Sequence, residues 1–150
     1  MHLTHNDVSL KDDKDKMETI QNHINSSKRS GHIEFYIEER NENYVISRMP
    51  VSKGILNPFG IVQAGAMIWL ADVTASVLAI GSQKIGPDGK GFPLAVDLHT
   101  TLLSNQRNGE IKAEARFVRK SRRIIVVRTR ITGNEGRLLA EITSTHIPVP

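Results

Sequence analysis

The chain of 150 residues contains no cysteine. That excludes thiol nucleophiles, disulfide staples and cysteine-ligated zinc, and it suits a reducing compartment. Aromatic residues make up only 5%, and no nucleic-acid-binding motif accompanies them. No run approaches the ~20 apolar residues of a membrane span. The opening "MHLTHNDVSLKDDKDK" lacks the apolar core of a secretory signal. These absences predict a cytoplasmic protein with neither membrane nor nucleic-acid partners. Lysine and arginine outnumber acids by 20 to 16, a net charge of +4. So mild an excess suits an anionic small ligand or an ordinary solvated surface.

Metal and cofactor chemistry is also thinly represented. The six histidines, His2, His5, His23, His32, His99 and His146, show no ligand spacing such as His-Glu-x-x-His. There is neither a phosphate-binding glycine loop nor a Gly-x-Ser-x-Gly elbow. The expectation is no metal and no resident cofactor.

What is present suffices for one domain. A chain of this length buries roughly 68–70% of its unfolded surface and needs no staple. Residues 1–12 are polar and read as a disordered tail, and 13–150 as a single domain. Met17, Ile20 and Ile24 stand at helical spacing and predict a short helix over 13–27. "HIEFYIEERN" and "NYVISRMPV" alternate as strands around a turn at "RNEN". "SKGILNPFGIV" is a loop by its glycine and proline. From Gln63 to Ser82 the chain is apolar on most sides, with glycine only at Gly65 and Gly81, which predicts a long buried helix. The last third reads as four half-buried antiparallel strands, "FPLAVDLHTTLL", "GEIKAEARFVRK", "RRIIVVRTRIT" and "GRLLAEITSTHIPV", with turns at "SNQRNG", "KSRR" and "GNEG". The class is α+β, an antiparallel sheet wrapped around one central helix at about 63–82.

The chemistry concentrates in "NPFGIVQAGAMIWLADVTAS", residues 57–76. Asp72 is the only acid between Glu42 and Asp88, and it stands among apolar neighbours where a charge is costly unless paired or used. From the residues alone it is either structural, capping another helix or pairing with a buried arginine, or a candidate general base or nucleophile of a transient anhydride. Ser76, four residues on, shares its helix face and is placed to hold the carboxylate or a water. Trp69, Met67 and Ile68 read as core.

The order and spacing of these motifs resemble the hotdog-fold acyl-CoA thioesterases, in particular the PaaI-like (phenylacetic acid degradation) branch. That family carries Asn, then Gly, then His-Gly-Gly at the helix start, then Leu-Ala-Asp two turns on. Here the positions hold Asn57, Gly60, Gln63-Ala64-Gly65 and Leu70-Ala71-Asp72. The resemblance covers about residues 40–147, through "AVDLHTTLL", "NGEIKAEARFVRKSRR" and "GRLLAEITSTH". It departs at Gln63, where the family has His, and at Ala64, where it has the first Gly of the pair. Glutamine hydrogen-bonds but does not titrate, and alanine keeps the backbone donor.

The resemblance implies an acyl-CoA thioesterase, with coenzyme A as part of the substrate. The Ala64 N–H would polarise the thioester carbonyl, at a helix start that supplies free donors and a positive dipole end. Asn57 would orient the water or thioester, and Gln63 and Gly65 would line the substrate site. Arg122 and Arg123 in the turn "RKSRR" would either meet coenzyme A phosphates or form a solvated hairpin tip. Ala64 and Asp72 lie eight residues apart, about 12 Å along a helix, so one carbonyl reaches both only if Asp72 comes from a partner subunit. A homodimer sharing its sites follows, as the family pairs, with further pairing to a homotetramer expected. The alternatives are a non-catalytic acyl-CoA-binding protein of the same fold and an acyl-CoA hydratase or dehydratase. The second usually needs a histidine in the site, and 57–82 has none.

Overall fold

The computed structural model describes residues 32–150, together with Lys14 and Asn22. The expected tail over 1–12 and the expected helix over 13–27 otherwise lie outside the described residues. Strands β1 (Tyr36–Arg40) and β2 (Tyr44–Pro50) form an antiparallel hairpin. Its turn is fixed by Asn41, whose Oδ1 accepts the N–H groups of Asn43 (2.9 Å) and Tyr44 (3.0 Å). An Asx side chain here replaces a backbone acceptor. Ile33 and Phe35 precede the strand. Ile33 packs against the core, and the Phe35 ring meets Trp69 edge-on at 5.2 Å.

One helix, α1 (Ala64–Ile80), follows. Gln63 enters it extended, and Gly81 ends it at φ 56°, a conformation that costs glycine little. Strands β3 (Pro93–Leu102), β4 (Glu110–Lys120), β5 (Ile125–Thr132) and β6 (Leu138–Pro148) complete one antiparallel sheet, ordered β1-β2-β4-β5-β6-β3. The helix lies across it.

The inner face of α1 is Ala66, Met67, Leu70, Ala71, Thr74, Ala75, Leu78 and Ala79, the spacing of one helical stripe. Its first half packs with Met49, Ile111, Ile131, Leu139 and Ile142. Its last half packs with Val45, Ala115, Ile125 and Val127. Short side chains on both surfaces let the layers approach closely. One hydroxyl pair bridges this layer: Ser47 bonds to Thr74, which donates to the Leu70 carbonyl at 2.6 Å.

Two expectations need correction. Ile68 is not core, and Trp69 only borders it, partly buried and packed against the cluster under the first half of α1. Both are half-buried on the outer face of α1 with Asp72, Val73, Ser76 and Val77, because the sheet covers only one stripe. β3 is not half-buried either. It is the last strand of the sheet, and Leu94 (50%), Val96 (52%), Leu98 (43%) and Leu102 (51%) are substantially exposed.

Candidate active site

The segment before α1 closes on itself. Gln63 N–H donates to Ile55 O (2.8 Å), Asn57 N–H to Ile61 O (2.8 Å) and Gly60 N–H to Asn57 O (3.0 Å). Asn57 Oδ1 accepts from the N–H groups of Phe59 (2.9 Å) and Ile61 (3.2 Å). Its carbonyl oxygen is therefore spent on the turn. Its amide Nδ2 has no acceptor among the described residues and is the half of the side chain left to meet a ligand. Gln63 Nε2 donates to Leu56 O at 3.0 Å. This glutamine thus braces the loop against the helix start.

At that start, the N–H groups of Ala66 and Met67 turn back to Gln63 O, at 3.0 and 3.4 Å. Those of Ala64 and Gly65 have no acceptor among the described residues. These are the unpaired donors every helix begins with, and the dipole favours negative charge beside them. A Cβ placed on Gly65 would meet nothing within 4 Å, so the space next to both donors is open.

Two turns on, Asp72 is half-buried on the outer face of α1. Its Oδ1 is shut away from solvent with no hydrogen-bond partner among the described residues. An enclosed, unpaired carboxylate oxygen is costly in an isolated chain. Ser76, one turn on, does not bond to this oxygen, which leaves its other expected role, holding a water. Because α1 runs unbroken from Ala64 through Asp72, the two groups stay about 12 Å apart along the axis.

The structure does not bring the arginines to this place within one chain. Arg122 and Arg123 are exposed in the β4–β5 turn, two to three residues before Ile125, which packs under the last half of α1. That is the opposite end of the helix from Ala64. His99 is exposed on β3. His146 is fully buried, with Nε2 2.8 Å from Ser144 Oγ and Nδ1 3.2 Å from Pro93 O.

The loop over 104–109, read only as a turn, reaches the site unexpectedly. Asn105, Gln106 and Arg107 all bond to the segment before α1. Three consecutive long polar side chains exceed what a turn needs, and that was the available signal. No helix among the described residues is long and apolar enough to cross a membrane.

No family model matches the chain, and no curated protein matches it. Solved structures do. A thioesterase variant from Staphylococcus aureus superposes with a TM-score of 0.72 at 21% identity, over 77% of this chain and 93% of that one. A thioesterase from Haemophilus influenzae gives 0.71 at 22%, over 86% and 87%. A thioesterase variant from Pseudomonas aeruginosa gives 0.69 at 21%, over 89% and 94%. With the sheet and helix described above, these likenesses define the class: the chain has the hotdog fold. At such identities they establish the architecture and leave the chemistry to be argued from the site.

Proposed function

We propose that the protein is a thioester hydrolase that cleaves acyl-CoA to a free acid and coenzyme A. The observation that carries this reading is the enclosed Oδ1 of Asp72, without a partner among the described residues, on the helix whose first turn offers two N–H donors with no acceptor among them. In the proposed reaction Asp72 takes a proton from water, and the oxygen adds to the thioester carbon. The Ala64 and Gly65 N–H groups receive the developing oxyanion. Collapse breaks the C–S bond, and the thiolate leaves and is protonated. An alternative course has Asp72 attack directly to form an anhydride that water then opens. Asn57 Nδ2 would orient the water or the thioester, and the structural neighbours' names support the reaction class.

The two halves of the site would come from two subunits. Leu98 and Leu102 of β3 pair with Ser144 and Ala140, both buried, Ala140 against α1. The exposed leucines therefore lie on the face of the sheet that carries α1. A two-fold axis here would cover them and the outer face of α1 and bring Asp72 of one chain toward Ala64 of the other. Arg122 and Arg123 would then reach coenzyme A only from the partner.

Thiol release from a panel of acyl-CoAs tests the reading, with Asp72→Asn beside the wild type. The substitution should cut turnover roughly 100- to 10,000-fold, the range of a general base, with the circular dichroism spectrum unchanged. Full activity in Asp72→Asn would remove the carboxylate from the mechanism. Tight acyl-CoA binding with no hydrolysis would make the protein a binder.

A further inference from the structure

We propose that Asn105 is a positioning residue for the Ala64 oxyanion donor; this rests on the hydrolase reading above. The peptide joining Val62 to Gln63 is held at both ends. Its N–H donates to Ile55 O at 2.8 Å, and its oxygen accepts from Asn105 Nδ2 at 3.1 Å. The next peptide along carries the Ala64 N–H. With the Val62–Gln63 plane fixed, the direction of that N–H depends on Gln63 alone, and Gln63 is itself tied to Leu56 O.

Asn105 is well placed for this task. Val62 is buried, and its N–H donates to Gln106 O at 3.0 Å. Val62 thus sits between two neighbours like the middle residue of a three-stranded ribbon, with the Asn105 carboxamide supplying the donor that a strand's N–H would supply. The carboxamide cannot turn over, because its Oδ1 accepts Gln106 N–H at 2.6 Å. Gln106 is in turn buried and locked: Nε2 donates to Asn108 O (2.7 Å) and Glu110 O (3.0 Å), and Oε1 accepts Asn134 N–H (2.7 Å). Arg107 Nη1 adds a third hold, on Phe59 O at 2.7 Å. The loop over 104–109 is the fixed wall against which the start of α1 is set.

The test uses Asn105→Ala and Asn105→Asp in the full chain. Both should lower kcat about 10- to 100-fold, as a small misplacement of a reacting group does, with KM little changed. The aspartate variant carries its own signature. Its carboxylate repels the Val62 oxygen, whereas its protonated form donates as asparagine does. Its kcat, divided by that of the wild type, should rise as pH falls toward about 4, the ordinary aspartate range. The corresponding ratio for Asn105→Ala should stay flat. Parallel pH ratios for the two variants, or an unchanged kcat in Asn105→Ala, would overturn the proposal. Amide NMR separates it from the hydrolase reading: Asn105→Ala should shift the Ala64 and Gly65 amides and leave the later turns of α1 in place. Those shifts in a protein inert toward every thioester would overturn the hydrolase reading while supporting the positioning contact; unmoved amides would overturn the contact.

Discussion

Ala64 and Asp72 ride on one uninterrupted helix, and among the described residues the first has an N–H without an acceptor and the second an enclosed oxygen without a partner. The spacing about 12 Å along the axis prevents both from serving one carbonyl in the same chain.

Ala64→Pro follows from this directly. Proline is tolerated at the first helical position, where its missing N–H costs no helix bond. Gln63, at φ −64° and ψ 139°, already has the backbone that a residue before proline prefers. The variant should fold and melt like the wild type yet lose about 100- to 1,000-fold in kcat, as when one oxyanion donor is removed. Mixed with Asp72→Ala chains and allowed to exchange, it should recover activity, because each mixed pair rebuilds one intact site. No recovery on mixing would place both groups in the same chain's site.

The two tyrosines give a pH prediction. Tyr36 OH donates to Glu110 Oε2 at 2.9 Å, and Tyr44 OH donates to Glu39. Each bond holds the phenol's proton and raises its pKa above the ordinary 10.0, with desolvation adding to the effect. A raised folded-state value means the associated stability is complete below the unfolded value near 10 and fades as pH rises through the folded value. Ultraviolet titration of the native protein should show both phenols ionising above 10, and Glu110→Gln should lower one of them. A native phenol ionising at or below 10 would contradict the bonding.

Ser47 and Thr74 should behave as a unit. Thr74→Val leaves the buried Ser47 hydroxyl without its partner, a cost of about 1–3 kcal/mol. Adding Ser47→Ala removes the stranded group, so the double variant should be less destabilised than the sum of the singles in urea denaturation. Strict additivity would show that the hydroxyls do not interact.

Gly133→Ala tests the packing behind the loop over 104–109. A Cβ there would collide with Gln106 Oε1, and Gln106 is held by several bonds and cannot withdraw. The expected loss is about 1–3 kcal/mol, typical of overpacking, measured by chemical denaturation. A neutral substitution would mean that Gln106 is freer than its contacts imply.

The sequence disclosed what is local. A run free of helix breakers marked α1, alternation marked the strands, and a lone carboxylate among apolar neighbours marked Asp72. Strand order was hidden, because nothing in "FPLAVDLHTTLL" says that β3 ends the sheet instead of lying inside it. The half-burial of Ile68 and Trp69 follows from that order and was equally hidden. The Asn105–Val62 contact joins residues 43 apart in the chain, beyond any periodicity. Arg122 and Arg123 were visible as a basic turn, but their distance from Ala64 depends on which end of the helix Ile125 packs under.

The two borders of the sheet differ in kind. β1 presents Glu38, Glu39 and Arg40 among its five residues, charges that discourage another strand from adding. β3 presents leucine and valine and one acid, Asp97. Growth of the sheet is therefore open on one side only. A second copy joined through β3, as proposed above, would use up both open borders and leave two charged ones outside, so such an assembly would close as a pair and could not run on into a filament.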